Sequence, residues 1–76
     1  MKEYISKLID QELLYLDMIF ESDAKNYHAW SHQIWLIERY ELYTEPRHLE
    51  MIEELLDKDV RNNSVWSFRY YLMERR

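Results

Sequence analysis

Asp23-Ala24-Lys25-Asn26-Tyr27-His28-Ala29-Trp30 and Asp59-Val60-Arg61-Asn62-Asn63-Ser64-Val65-Trp66 carry one signature, Asp-x-basic-Asn…Trp, twice in a 76-residue chain, thirty-six positions apart. In the same register Ser31 pairs with Ser67, Leu36 with Leu72, Glu38-Arg39 with Glu74-Arg75 and, upstream, Leu13 with Leu49. A period close to that of the tetratricopeptide class, without glycine or a strand pattern, predicts antiparallel helical hairpins stacked as a solenoid. The fold class expected is therefore all-α, an α-α superhelix of about four helices. A single domain, 1–76, would hold two repeats at about 11–43 and 47–76.

Periodicity and caps place the helices. Ile5, Leu8, Ile9, Leu13, Leu16 and Phe20 recur at three- and four-residue spacings and predict an amphipathic helix over about 5–21, broken near Asp10. Asn26 is suited to cap a second helix, which presents Trp30, Ile34 and Ile37 on one stripe and runs to about Leu42. Pro46 fits the first turn of a third helix, with Thr44 as its cap, Leu49, Ile52, Leu55 and Leu56 on one side, and an end near Lys58. Asn62 caps a fourth helix carrying Trp66, Tyr70 and Met73. The connections are short, as antiparallel neighbours require.

Bulk properties narrow the function classes. Net charge is −5, and basic residues are interspersed with acidic ones, the opposite of a nucleic-acid footprint. The longest apolar runs, such as Leu13–Leu16 and Ile34–Ile37, are far shorter than the roughly 20 residues that cross a bilayer, so membrane insertion is not expected. No signal peptide is visible, and the absence of cysteine fits a reducing compartment and removes thiolate nucleophiles and cysteine-based zinc sites. A cytoplasmic location is expected.

Chemistry is sparse. Lys25-Asn26 and Arg61-Asn62 put a cation and an asparagine at helix starts, where unpaired N–H groups and the positive end of the helix dipole suit phosphate or diphosphate. The simpler reading is that Asn caps the helix and the cation is solvated. Trp30 and Trp66 hold equivalent places and are expected in the core between helix pairs. Tyr27 and His28 have Asn63 and Ser64 as repeat partners, so shared packing does not set them, and they are the better candidates for a specific contact. His28 and His32 have a zinc-compatible spacing, but no third ligand or metalloprotease glutamate accompanies them, so no metal site is assigned. His48, the partner of Glu12, reads as a surface residue. Glu53, Glu54 and Asp57 read as a solvated face with Arg47 and Lys58 beside it. No nucleophile triad, glycine-rich phosphate loop or paired acid and base can be drawn, and an independent active site is not expected.

The two signatures, with Arg69-Tyr70 following the second, resemble the repeat of protein prenyltransferase α subunits, in wording close to the α subunit of protein farnesyltransferase and type I geranylgeranyltransferase. The resemblance implies a crescent of hairpins wrapped around a catalytic β subunit. That heterodimer transfers a farnesyl or geranylgeranyl group from its diphosphate to a cysteine in the C-terminal CaaX sequence of a protein. The isolated chain would be inactive. It would bind no cofactor: the zinc, with magnesium as a second candidate, belongs with the β subunit. Asn26, Tyr27 and His28, with Lys25 in a lesser role, would lie near the diphosphate; Trp30, Trp66, Asn62 and Arg69 would form the structural core of the repeats.

Two departures from the family pattern matter. The lysine credited with gripping the diphosphate belongs to a repeat before this one, and His32-Gln33 stands where the family has His-Arg, which implies a lost salt bridge that Arg69 keeps in the second repeat. Solenoids generally need about three repeats, so this chain is expected to be part of a longer α subunit or to depend on a partner. The alternative to a prenyltransferase segment is a non-catalytic, tetratricopeptide-like protein-binding scaffold.

Overall fold

Two loops built the same way set the architecture. The Asp23 side chain accepts from the Lys25 N–H at 3.2 Å and that of Asp59 from the Arg61 N–H at 3.0 Å, two Asx turns that stop the preceding helix and reverse the chain. Asn26 then accepts from the Ala29 N–H at 3.0 Å, and Asn62 from the Ser64 and Val65 N–H groups at 2.9 and 3.3 Å. The ring nitrogens of Trp30 and Trp66 donate back to the carbonyls of Ala24 (2.9 Å) and Val60 (2.6 Å). Every side chain the signature specifies, except that of the cation, thus has a hydrogen-bonding task in the turn.

The computed structural model describes residues 2–76 as four helices: α1 (Lys2–Ser22), α2 (Tyr27–Tyr40), α3 (Pro46–Lys58) and α4 (Asn63–Arg75). Helices α1 and α2 form one hairpin, α3 and α4 the other, and the two stack in a body of 41 × 26 × 20 Å. No strand occurs among the described residues, and the all-α superhelical class is the one expected.

Details differ from the periodicity reading. Helix α1 is continuous through Asp10. Helix α2 stops at Tyr40 because Glu41 takes the left-handed conformation (φ 54°, ψ 49°), letting the Leu42 N–H reach the Ile37 carbonyl at 3.0 Å. Glycine usually holds such a position, since a Cβ there is disfavoured, but this chain has none. Helix α3 is capped at Glu45, not Thr44, and without a side-chain cap bond, for the Glu45 carboxylate accepts from Arg47 Nε at 2.8 Å. That bond holds the Glu45 carboxyl below its usual pKa range. Arg47 also reaches Asp10 of α1 at 2.9 Å, so its partners are not the carboxylates of α3's solvated face. An ion pair this exposed contributes about 0–1 kcal/mol.

The core runs through both hairpins: Leu13, Leu16 and Phe20 of α1, Trp30, Leu36 and Ile37 of α2, Met51, Ile52 and Leu55 of α3, and Val65, Phe68 and Leu72 of α4. Trp30 lies at its centre, stacked on Phe20 (centroids 4.0 Å) and tilted against Phe68 (5.0 Å). Trp66, expected in the core, is not buried. Trp66, Tyr70 and Met73 are 42%, 69% and 38% exposed, and the buried face is Val65, Phe68 and Leu72. Trp66 matches Trp30 in sequence but not in surroundings: α4 covers Trp30, whereas no described helix covers Trp66. Arg69, also assigned to the repeat core, is exposed, while Asn62 is buried.

Candidate functional site

The open face between the N-terminal halves of α2 and α4 holds a groove of about 250 Å3. Lys25, Tyr27, Trp30 and Ile34 line one wall and Asn63, Ser64, Ser67 and Phe68 the other. Two helix N-termini open beside it because both hairpins turn in the same way, so positive dipole ends, a lysine and small polar side chains lie around an apolar floor.

Lys25 is exposed and makes no side-chain ion pair among the described residues. Tyr27 is 76% exposed, with His28 edge-to-face against it at 5.7 Å. The fold brings Lys25 and Tyr27 onto the groove, while His28 does not line it. The Asn26 side-chain amide oxygen is engaged in capping. The residues that reading by signature passed over are Asn63, Ser64 and Ser67. Their signal was available, since they are the repeat partners of Tyr27, His28 and Ser31.

Asn62 does more than its equivalent Asn26. Besides capping α4, its Nδ2 donates to the Ala24 carbonyl at 3.3 Å and ties one turn to the other. Asn62→Ala is expected to destabilise the fold by about 2 kcal/mol, roughly twice the effect of Asn26→Ala, since a cap and a buried inter-repeat bond are lost together. Urea midpoints of the two variants check this; equal losses would mean that the link to Ala24 contributes nothing.

A second polar feature lies out of solvent. Gln33 and His48 are each 1% exposed, and Gln33 Nε2 lies 3.2 Å from His48 Nδ1. His48 Nε2 lies 2.9 Å from the Leu42 carbonyl, which can only accept, so the ring is protonated at Nε2 and Nδ1 accepts from the Gln33 amide. His48, expected at the surface, is a buried joint residue, because it faces α2 instead of water. Gln33, which stands where the family pattern has an arginine, links α2 to α3 through a neutral bond, and an arginine there would meet the imidazole of His48. Gln33 Oε1 is buried without a hydrogen-bond partner.

The histidines four apart part company. His32 Nε2 donates to Glu12 Oε2 at 3.1 Å and its ring stacks against Trp35 at 5.8 Å, while His28 turns to Tyr27. Among the described residues no group of three His, Asp or Glu could hold a metal ion, and the chain has no cysteine. Among the described residues no helix is long and apolar enough to cross a membrane.

Stacked hairpins with repeated capping turns and an open face define an α-hairpin repeat protein. The model of the protein prenyltransferase alpha subunit repeat matches residues 9–40 and again 46–76. The chain belongs to that family. No curated protein and no solved structure matches it.

Proposed function

We propose that the chain acts as an α-subunit segment of a heterodimeric protein prenyltransferase of the farnesyltransferase or type I geranylgeranyltransferase kind. It scaffolds a catalytic β subunit and contributes Lys25, Asn26, Tyr27 and His28 to the surroundings of the isoprenoid diphosphate. The observation that carries this reading is the groove between α2 and α4, where a free lysine, the exposed Tyr27 and two helix N-termini adjoin the apolar floor of Trp30, Ile34 and Phe68. An isoprenoid diphosphate pairs the same two chemistries, an anionic head and an apolar tail.

Each residue has a distinct part. Lys25 supplies charge attraction, Tyr27 offers a hydroxyl to diphosphate oxygens from the groove wall, His28, which does not line the groove, offers an imidazole from beside Tyr27, and Asn26 holds the helix start in place. The zinc that activates the acceptor thiolate, and magnesium if it is used, would sit on the β subunit. The acceptor is a CaaX protein, and the reaction is assigned to the cytoplasm.

Co-purification with a prenyltransferase β subunit tests the scaffold role. In the heterodimer, Tyr27→Phe and His28→Ala are each expected to weaken isoprenoid diphosphate binding about 3- to 20-fold, the worth of one hydrogen bond to a charged group, without releasing the β subunit. Absence of β-subunit capture would sink the proposal. A chain that instead binds peptides alone, with prenylation unchanged by its addition, would be a scaffold of the tetratricopeptide kind.

A further inference from the structure

Helices α1 and α3, the first of each hairpin, enclose a groove of about 220 Å3 between them. Phe20, Met51 and Leu55, all buried, form its floor, and Leu14 and Met18, one turn apart on α1, stand at its edge 60% and 67% exposed. Among the described residues its lining carries three carboxylates, Asp17, Glu21 and Glu54, against the single cation Lys58. The two helices are already neighbours, so the groove does not depend on what adjoins the first or the last hairpin. Nor does packing require its apolar edge. The repeat partners of Leu14 and Met18 are Glu50 and Glu54, both exposed, so a hairpin of this kind is built without apolar side chains at those places. None of the three carboxylates is in an ion pair among the described residues. The last turn of α1 holds Glu21 and no basic residue, the reverse of what a helix C-terminus favours. Burial pushes the Asp17 carboxyl pKa up, with Arg47 opposing and Glu54 and Glu21 adding to the shift.

We propose that this groove docks a basic amphipathic helix of a partner protein, its apolar side chains set against Leu14 and Met18 and its lysines or arginines over Asp17, Glu21 and Glu54. Charge complementarity identifies the occupant. An apolar strip among unpaired carboxylates rejects nucleic acid, anionic lipid and acidic peptides, and suits a chain that alternates cations with apolar residues. Two helices side by side form a trough that a third helix fills, reading it through anchors at three- and four-residue spacings. A helix also brings its own backbone hydrogen bonds, and the groove walls, being helices themselves, offer no open strand edge for an extended peptide. Met18 and Met51 give the contact surface adaptable thioether side chains, which accommodate anchors of different shape. An incoming cation beside Asp17 offsets the repulsion it meets from Glu54 and Glu21, and one beside Glu21 supplies the positive charge that the end of α1 lacks.

Fluorescence anisotropy tests this, with the full chain titrated into a labelled peptide of about five helical turns that carries leucines along one face and lysines on the other. Two comparison peptides have the leucine positions scrambled or the lysines replaced by glutamate. At about 50 mM salt the amphipathic lysine peptide is expected to bind roughly tenfold or more tighter than either. Glu54→Lys should weaken its binding about tenfold, and Glu38→Lys, the same change of charge at an exposed place on α2, about twofold at most. Leu14→Glu combined with Met18→Glu should also weaken it about tenfold. That pair copies what α3 carries at the equivalent exposed places, so helix content and melting temperature should stay as in the parent chain. Absence of binding by the parent chain, equal affinity for the scrambled peptide, or equal effects of Glu54→Lys and Glu38→Lys would overturn the proposal. So would self-association of the chain that the Leu14 and Met18 changes abolish, since the groove would then hold another copy. The proposed function fails separately, because this groove and the one between α2 and α4 share no lining residue. A chain that captures a β subunit but not the peptide would remove the docking site and leave that function standing.

Discussion

Trp30→Ala is expected to abolish the cooperative thermal transition, whereas Trp66→Ala should lower the midpoint by only a few degrees. Trp30 is 7% exposed, sandwiched between Phe20 and Phe68, and its ring nitrogen holds the Ala24 carbonyl. Truncation removes both aromatic contacts, opens a cavity between the hairpins and deletes that bond; large aromatic-to-alanine changes in cores cost about 3–5 kcal/mol. A domain of this size has little stability beyond that amount. Trp66 keeps the hydrogen bond to Val60, yet 42% of its surface is exposed and no described helix packs over it, so its loss should cost about 1–2 kcal/mol. Circular dichroism melts at one low concentration distinguish the two. Equal losses would contradict the asymmetry of the hairpin contact.

Acidification should weaken the fold through His48. Burial, first of all, pushes the imidazole below its ordinary value of about 6.5; the Leu42 carbonyl and Glu45 oppose that shift, and Arg47 and Arg76 add to it. A histidine whose folded pKa is depressed binds its proton more readily in the unfolded chain. The stability it contributes is therefore complete above pH 6.5 and is lost as pH falls from there toward the folded value, at a limiting slope of about 1.4 kcal/mol per pH unit. Protonation would also place a second N–H against the Gln33 amide, so the amide must turn its unpartnered Oε1 toward the ring. Asp17, whose carboxyl burial raises above 3.8, acts with the opposite sign in the carboxylate range. Urea unfolding between pH 7.5 and 5 should show the loss in the parent chain and a flatter profile in His48→Gln; the same slope in both would exclude His48 as its source.

Most helix boundaries were legible because the residues that set them act locally. Asp23 and Asp59, Asn26 and Asn62, and Pro46 all do their work within a few positions of themselves. The exceptions have local causes too. Glu41 adopts a left-handed conformation with no residue preference to announce it, and Glu45 replaces Thr44 as the cap because Arg47 holds it. The groove was legible in part: Lys25 and Tyr27 line it as members of one signature, while Asn63, Ser64 and Ser67 join them only because the second hairpin lies alongside the first.

The repeated signature by itself determined that this protein is a pair of capped helical hairpins in register, since every bond that builds those turns closes within six residues of where it starts. Which of two equivalent tryptophans is buried, and that His48 lies inside the protein against Gln33, only the tertiary structure decided. A period makes the repeats alike in sequence, but burial depends on what stacks against each face, and among the described residues each hairpin is covered by a neighbour on one side only.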